Sequence, residues 1–372
     1  MKNYTVNDVL KIAKRHNNSK RAYLLVNPLQ GKHIPTTPTA ALEMMQTLGE
    51  KISAKYPGAK LVIGFAETAT AIGAIVAASL PEDCIYIQTT RENLDGNFIE
   101  FLEEHSHAPQ QKLFAEKFNA WLENTPAVIF VDDEISTGKT LRNMIRQLKN
   151  KFPILNEKIL VAASVINRLN ADNENLFALE KISCEYLIKL DKENFDVSNI
   201  ETAAPKILNP AEISPDKISF QKINFLLNPR FGVNIHAYIN FLNQIGGEVS
   251  TNIKSGGEIL ILGTEECMLP AIICGKILEL RGAKVFTHST TRSPIGVSCQ
   301  KDYPIFEGCQ LKSFYDSRRT TFIYNLKFYD LILVISDVEN WQVDAAKSLI
   351  SALNVHGYGK IIFFGGGNVQ HL

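Results

Sequence analysis

No two of the six cysteines in this 372-residue chain stand in a C-x-x-C pair. Cys84, Cys184, Cys267, Cys274, Cys299 and Cys309 are scattered, most of them in apolar runs. That pattern excludes a disulfide-stapled scaffold and a zinc ribbon, and predicts reduced core thiols. Charge of one sign is lacking too. The 39 basic residues balance 39 acidic ones, so no global field draws the chain to nucleic acid or to an anionic membrane. No apolar stretch reaches membrane length, because Glu265 and Glu266 break the one candidate. The segment Met1 to Lys14 is polar and amphipathic and lacks the apolar core of a signal peptide. The expectation is a soluble, cytoplasmic protein with no nucleic-acid and no membrane partner.

What is present is an ordinary globular composition, 45% hydrophobic and 21% charged, in a chain long enough for two domains. Short apolar runs at Tyr23–Val26, Leu61–Ile63, Cys84–Ile87, Val128–Val131, Ile159–Val165 and Tyr186–Leu190 read as strands. Helical periodicity fills Thr39–Lys55, Thr70–Leu80, Gln111–Leu122 and Lys139–Lys149. Continuous Val/Ile/Leu strands separated by helices predict a parallel sheet covered on both faces. Periodicity fades from Asp191 to Ser219, where Pro205, Pro210 and Pro215 lie among polar residues. Strand runs resume at Phe225–Leu227, Ile259–Leu262, Val285–Phe286, Leu331–Ile335 and Ile361–Phe364. The predicted organisation is two α/β domains, 1–200 and 221–372, joined by a linker at 201–220.

The halves echo each other at offsets between 199 and 204 residues. Leu25-Val26-Asn27-Pro28 with Gly31 matches Leu226-Leu227-Asn228-Pro229 with Gly232. Gly64 with Glu67 matches Gly263 with Glu266, and Thr89-Thr90-Arg91 matches Thr290-Thr291-Arg292. The strand before Asp133 matches the strand before Asp337. Four matches in one order predict that the second domain is a diverged duplicate of the first.

The chemistry concentrates in Val128-Ile129-Phe130-Val131-Asp132-Asp133-Glu134-Ile135-Ser136-Thr137-Gly138-Lys139-Thr140. A buried strand ends in two carboxylates, which accept hydrogen bonds from vicinal hydroxyls. A Ser-Thr-Gly turn then enters a helix, where free backbone amides and hydroxyls cradle a phosphate. Diol binder and phosphate cradle a few residues apart describe ribose 5-phosphate. The rival nucleotide P-loop fails on spacing: it needs glycine at position 133, where Asp133 would repel phosphates.

This segment resembles the phosphoribosyl pyrophosphate (PRPP) motif of type I, orotate-like phosphoribosyltransferases. The resemblance implies that Asp132 and Asp133 hold the ribose hydroxyls. It places Ser136, Thr137, Gly138, Lys139 and Thr140 around the 5-phosphate, although many members have a small residue at the place of Lys139. Ala66, Glu67, Thr68 and Ala69 fall where the family has its pyrophosphate loop. Arg91 falls before the flexible catalytic loop, Glu92 to Gln110, which carries His105 and His107. Lys32 and His33 fall in the hood over the base. Thr291-Arg292-Ser293-Pro294 resembles the sequence for which the TRSP domain is named, a domain found behind such transferases in bacterial proteins associated with tellurite-resistance and stress-response genes. Thr291, Arg292 and Ser293 then bind an anion, clamp the first domain's substrate, or serve structure alone. The implied reaction transfers ribose 5-phosphate from PRPP to a nitrogenous base, with Mg2+ held mainly by ligand and water, and many relatives are homodimers. The alternatives are a PRPP-binding regulator without turnover and a nucleotide-dependent kinase. The second domain, with Ser336-Asp337-Val338 in place of the acid pair and Ser-Thr-Gly loop, is expected not to turn over PRPP.

Overall fold

A computed structural model describes residues 2–18, 21–101, 111–191, 194–209, 215–251, 253 and 256–366. The chain forms two compact units, and they interleave along the sequence. The first comprises Met1–Thr5, Glu43–Glu193 and Leu227–Phe241; the second comprises Val6–Leu42, Asn194–Leu226 and Leu242–Leu372.

The first unit is built on β1 (Leu61–Gly64), α1 (Thr70–Ala78), β2 (Ile85–Gln88), β3 (Ala127–Ile135), α2 (Lys139–Lys151), β4 (Ile159–Asn167) and β5 (Ile182–Lys189). The strands run parallel in the order β2-β1-β3-β4-β5, and Val233–Asn234 adds an antiparallel edge beside β2. Leu141, Met144, Ile145 and Leu148 recur at helical spacing on α2 and are buried. They join Leu61, Ile63, Val128 and Phe130 in one cluster, each buried side chain contributing roughly 1.5–3 kcal/mol. On α1, Gly73 packs against the Cα of Gly64, where an added Cβ would approach within 2.9 Å. Helix and strand thereby meet almost backbone to backbone.

The second unit is built on β6 (Ile218–Lys222), β7 (Glu258–Gly263), α3 (Leu269–Leu280), β8 (Lys284–Ser289), β9 (Leu331–Ile335), α4 (Val343–Asn354) and β10 (Lys360–Gly365). These strands are also parallel, in the order β8-β7-β9-β10-β6. The first four repeat the order β2-β1-β3-β4. The fifth place, filled in the first unit by the last strand in sequence, is filled here by the earliest. An antiparallel strand pair follows β2 in the first unit and β8 in the second: Phe98–Phe101 with Gln111–Phe114, and Gly308–Lys312 with Thr320–Tyr324.

The interleaved segments carry the same turn in both halves. Asn27 accepts the Leu29 amide and Asn228 accepts the Arg230 amide on their side chains, and Gly31 and Gly232 follow with φ of 70° and 76°. The chain leaving the first turn bridges β8 through Thr36 and Thr287, in the second unit. The chain leaving the second turn pairs with β2, in the first unit. Each half thus contributes its leading segment to the other half's unit. Tyr23–Val26 accordingly stays out of the first unit's sheet and pairs with Lys11–Lys14, its Leu24 and Val26 packing with Ile295, Phe322 and Tyr324.

Three other expectations are corrected. The helix expected over Gln111–Leu122 is a strand, Gln111–Phe114, followed by a short helix, Phe118–Glu123. Apolar residues at 113, 114, 118 and 122 mimic a helical stripe, but Phe114 is held by cross-strand pairing and by edge-on contacts with Phe98 and Phe231. The Phe225–Leu227 run forms no strand, and Leu226 is 79% exposed. The edge strand lies earlier, at Ile218–Lys222, beginning at the end of the stretch expected to lack structure. The expected loop from Glu92 onward contains the strand Phe98–Phe101, while His105 and His107 lie outside the described residues. All six cysteines are free thiols, four of them buried.

Candidate functional site

At the carboxyl end of the first unit's sheet, β3 runs on through Asp132, Asp133 and Glu134 to Ile135. Glu134 pairs with Arg168 at 2.6 Å. Asp133 accepts the Thr68 hydroxyl at 2.8 Å, and its own amide donates to the Asp132 carboxylate at 2.9 Å. Burial holds both carboxyls above the usual carboxylate range, with the mutual repulsion of adjacent charges raising Asp132 further. A pair so poised gains from hydroxyl donors that favour the ionised form.

Ser136, Thr137 and Gly138 make the turn into α2. Gly138 has φ 66° and caps the helix, and a Cβ there would lie 2.3 Å from the Phe177 ring. Only glycine satisfies both the left-handed backbone and the ring behind it. The first-turn amides of α2 have no partner within the helix, so this end attracts anions. Thr137, Lys139 and Thr140 are exposed around it.

The loop after β1 is held from two sides. Besides the Thr68 contact to Asp133, the Ala66 amide donates to Thr89 Oγ1 at 2.9 Å. That hydroxyl donates to Gln111 Oε1 at 2.7 Å, and Gln111 Nε2 donates back to the Ala66 carbonyl at 3.1 Å. The ring fixes Ala66 by both its amide and its carbonyl, and ties it to the foot of the hairpin. Thr89 and Gln111 were not among the site residues predicted from sequence; the Thr-Thr-Arg repeat pointed at the first of them. Arg91, half-buried, follows Thr90, whose backbone pairs with Lys112. Arg230, also unforeseen, is buried on a turn that packs against β2 and the strand Gln111–Phe114.

Asp132, Asp133, the 136–140 turn, the 66–69 loop and Arg91 thus all lie in the first unit. Lys32 and His33 belong to the second and are buried there. Lys32 donates to the carbonyls of Glu265 (2.7 Å) and Thr290 (3.0 Å). Thr291, Arg292 and Ser293 are in that unit as well. Arg292 Nε binds Glu265 at 3.1 Å, the Ser293 amide donates to Thr291, and the Ser293 carbonyl accepts Tyr324 Oη at 2.7 Å.

Residues 9–191 match the family model described as phosphoribosyl transferase. Residues 228–353 match the model described as the TRSP domain C-terminal to that transferase. Similar solved structures include adenine phosphoribosyltransferase of Trypanosoma brucei, solved with AMP, pyrophosphate and ribose-5-phosphate; identity is 13%, coverage 52% of this chain and 83% of that one, TM-score 0.37. The Giardia lamblia adenine enzyme matches at 16% identity over 50% of this chain and 97% of its own, TM-score 0.36. Orotate phosphoribosyltransferase of Aeropyrum pernix matches at 15% identity, 48% and 88% coverage, TM-score 0.32. Comparison with curated proteins gives no match. Among the described residues no helix is long and apolar enough to cross a membrane.

Proposed function

Because residues 9–191 belong to the phosphoribosyl transferase family and residues 228–353 to the TRSP domain behind it, we propose that the first unit transfers ribose 5-phosphate from PRPP to a nitrogenous base and releases pyrophosphate. The observation that carries this reading is the Asp132–Asp133 pair, hydrogen-bonded to Thr68 of the neighbouring loop and followed directly by the Gly138-capped turn. Asp132 and Asp133 accept the ribose hydroxyls. Ser136 to Thr140 surround the 5-phosphate with amides and hydroxyls. Ala66 to Ala69 and Arg91 face the pyrophosphate, whose negative charge grows as the C1–O bond breaks.

Mg2+ held mainly by phosphate and water suits this site: Asp132 and Asp133 offer adjacent hard carboxylate oxygens, and the described residues form no protein cage of three such ligands. When bound, it would neutralise charge on the leaving pyrophosphate. The matching strand order supports reading the second unit as a diverged copy. Its Ser336-Asp337-Val338 continuation, lacking the Ser-Thr-Gly turn, supports one transferase site per chain.

The test is PRPP-dependent pyrophosphate release with a panel of nitrogenous bases, in the parent and in Asp133→Asn. The parent releases pyrophosphate with at least one base, and the variant, folded by circular dichroism, does not. Equal rates in both would refute the assignment.

A further inference from the structure

The carboxyl end of the second sheet repeats the first hydrogen bond by hydrogen bond. The Thr89 amide donates to the Gly64 carbonyl at 2.9 Å, and the Thr290 amide donates to the Gly263 carbonyl at 3.1 Å. The Ala66 amide donates to Thr89 Oγ1, and the Glu265 amide donates to Thr290 Oγ1 at 3.0 Å. Thr90 bridges Lys112 on its hairpin; Thr291 bridges Phe322 on the other. The Glu92 amide donates to Thr90 Oγ1 at 3.0 Å, and the Ser293 amide donates to Thr291 Oγ1 at 3.2 Å. Ala66 therefore corresponds to Glu265, and Arg91 to Arg292.

At the loop residue the second unit gains a charge: Ala66 has no polar side chain, whereas Glu265 carries a carboxylate that is wholly buried. That carboxylate accepts Arg292 Nε at 3.1 Å, Arg319 Nη1 at 3.0 Å and Ser313 Oγ at 2.5 Å. Two guanidiniums and a hydroxyl converging on one anionic group is the way a protein holds a phosphate oxygen. Lys32, itself fully buried, adds a third cation beside the two half-buried arginines by gripping the Glu265 and Thr290 carbonyls. Glu266, paired to Arg292 Nη2 at 3.4 Å, is the other acid of the cluster. The backbone at Glu265 is left-handed, φ 46°, a conformation uncommon outside glycine. It is held there by the Thr290 and Lys32 contacts.

From this geometry we infer that the second unit contains an oxyanion site, formed by Arg292, Arg319 and Ser313, whose occupant is the chain's own Glu265 carboxylate. The site takes a phosphoryl-type anion once that carboxylate is removed. Glu265 is thus a built-in ligand that closes the second copy and converts an anion site into a cross-link between the β7 loop, the Thr-Arg-Ser segment and the hairpin. Without Glu265, Arg292 keeps Glu266 and Arg319 keeps the charge of Asp316, while the place between the two guanidiniums and Ser313 is vacated.

The experiment is equilibrium dialysis of the full chain against labelled inorganic phosphate, comparing the parent, Glu265→Ala and Glu265→Ala/Arg319→Ala. Glu265→Ala binds one equivalent more than the parent, and the second replacement removes that increment. Because the readout is a difference, it stands whether or not the first unit itself holds phosphate. Equal binding by parent and Glu265→Ala overturns the inference. Glu265→Gly, which empties the site and suits the left-handed backbone there, covers failure of Glu265→Ala to fold. Phosphate raises its melting temperature by more than it raises the parent's, and an equal rise overturns the inference.

Discussion

At the loop after β1 the first unit has Ala66, and at the matching loop after β7 the second has Glu265. Around them the backbone hydrogen bonds are the same, and the arginine two residues beyond the matched threonine is retained as Arg91 and Arg292. One unit has alanine in that loop and the adjacent carboxylates Asp132 and Asp133 at the end of β3. The other buries glutamates against two arginines and carries Ser336 where the first has Asp132. The scaffold that presents groups at the carboxyl ends of parallel strands is indifferent to whether they meet a ligand or each other.

The largest effect that separates the two arginines is on stability. Arg292→Ala leaves Glu265 and Glu266 short of a buried partner and destabilises the protein by about 3–5 kcal/mol, read by urea denaturation. Arg91→Ala lowers kcat/KM for PRPP with a much smaller stability loss. Equal destabilisation by both would break the comparison. Gly138→Ala forces a Cβ against Phe177 in a left-handed backbone, destabilising by roughly 1–3 kcal/mol, and raises the KM for PRPP. An unaltered KM would remove the turn from the phosphate site.

Smaller still is the effect of the ring around Ala66. Gln111→Ala removes one donor and one acceptor, so KM for PRPP rises roughly 5–10-fold; Thr290→Val, at the matching place in the second unit, leaves it unchanged. A KM response to Thr290→Val and none to Gln111→Ala would reverse the assignment of the active unit. Finally, the Asp132–Asp133 pair titrates above the unfolded carboxylate value of about 3.9. Its contribution to stability is therefore full below the unfolded value and is lost as pH rises through the folded one. Asp132→Asn, neutral throughout, melts above the parent at neutral pH, and the difference closes in acid. In the second unit, Asp337→Asn weakens its hydrogen bond with Tyr315 and melts below the parent. A lower melting temperature for Asp132→Asn at neutral pH would contradict the burial of the acid pair.

The parallel strands were legible because their apolar runs are continuous, and β3 with its turn was legible because acids and Ser-Thr-Gly interrupt such a run abruptly. Gln111–Phe114 was not, since its residues take their strand from cross-strand pairing and from Phe231, more than a hundred positions away. Nor did the sequence disclose that Lys32 belongs with Glu265. The Asn-Pro turn with its left-handed glycine was visible in both halves, but which sheet each turn delivers its chain to is decided by tertiary pairing. The repeat was readable as matched motifs. The match of Ala66 with Glu265 rests on the amides of both donating to matching threonines, a tertiary contact that sequence spacing does not carry.

The most direct measurement is the stoichiometry of PRPP binding to the full chain by calorimetry, in the parent, in Asp132→Asn/Asp133→Asn and in Asp337→Asn. One equivalent per chain, lost in the double variant and retained in Asp337→Asn, is the predicted result. Two equivalents in the parent, or binding that survives loss of Asp132 and Asp133, would contradict a single site in the first unit.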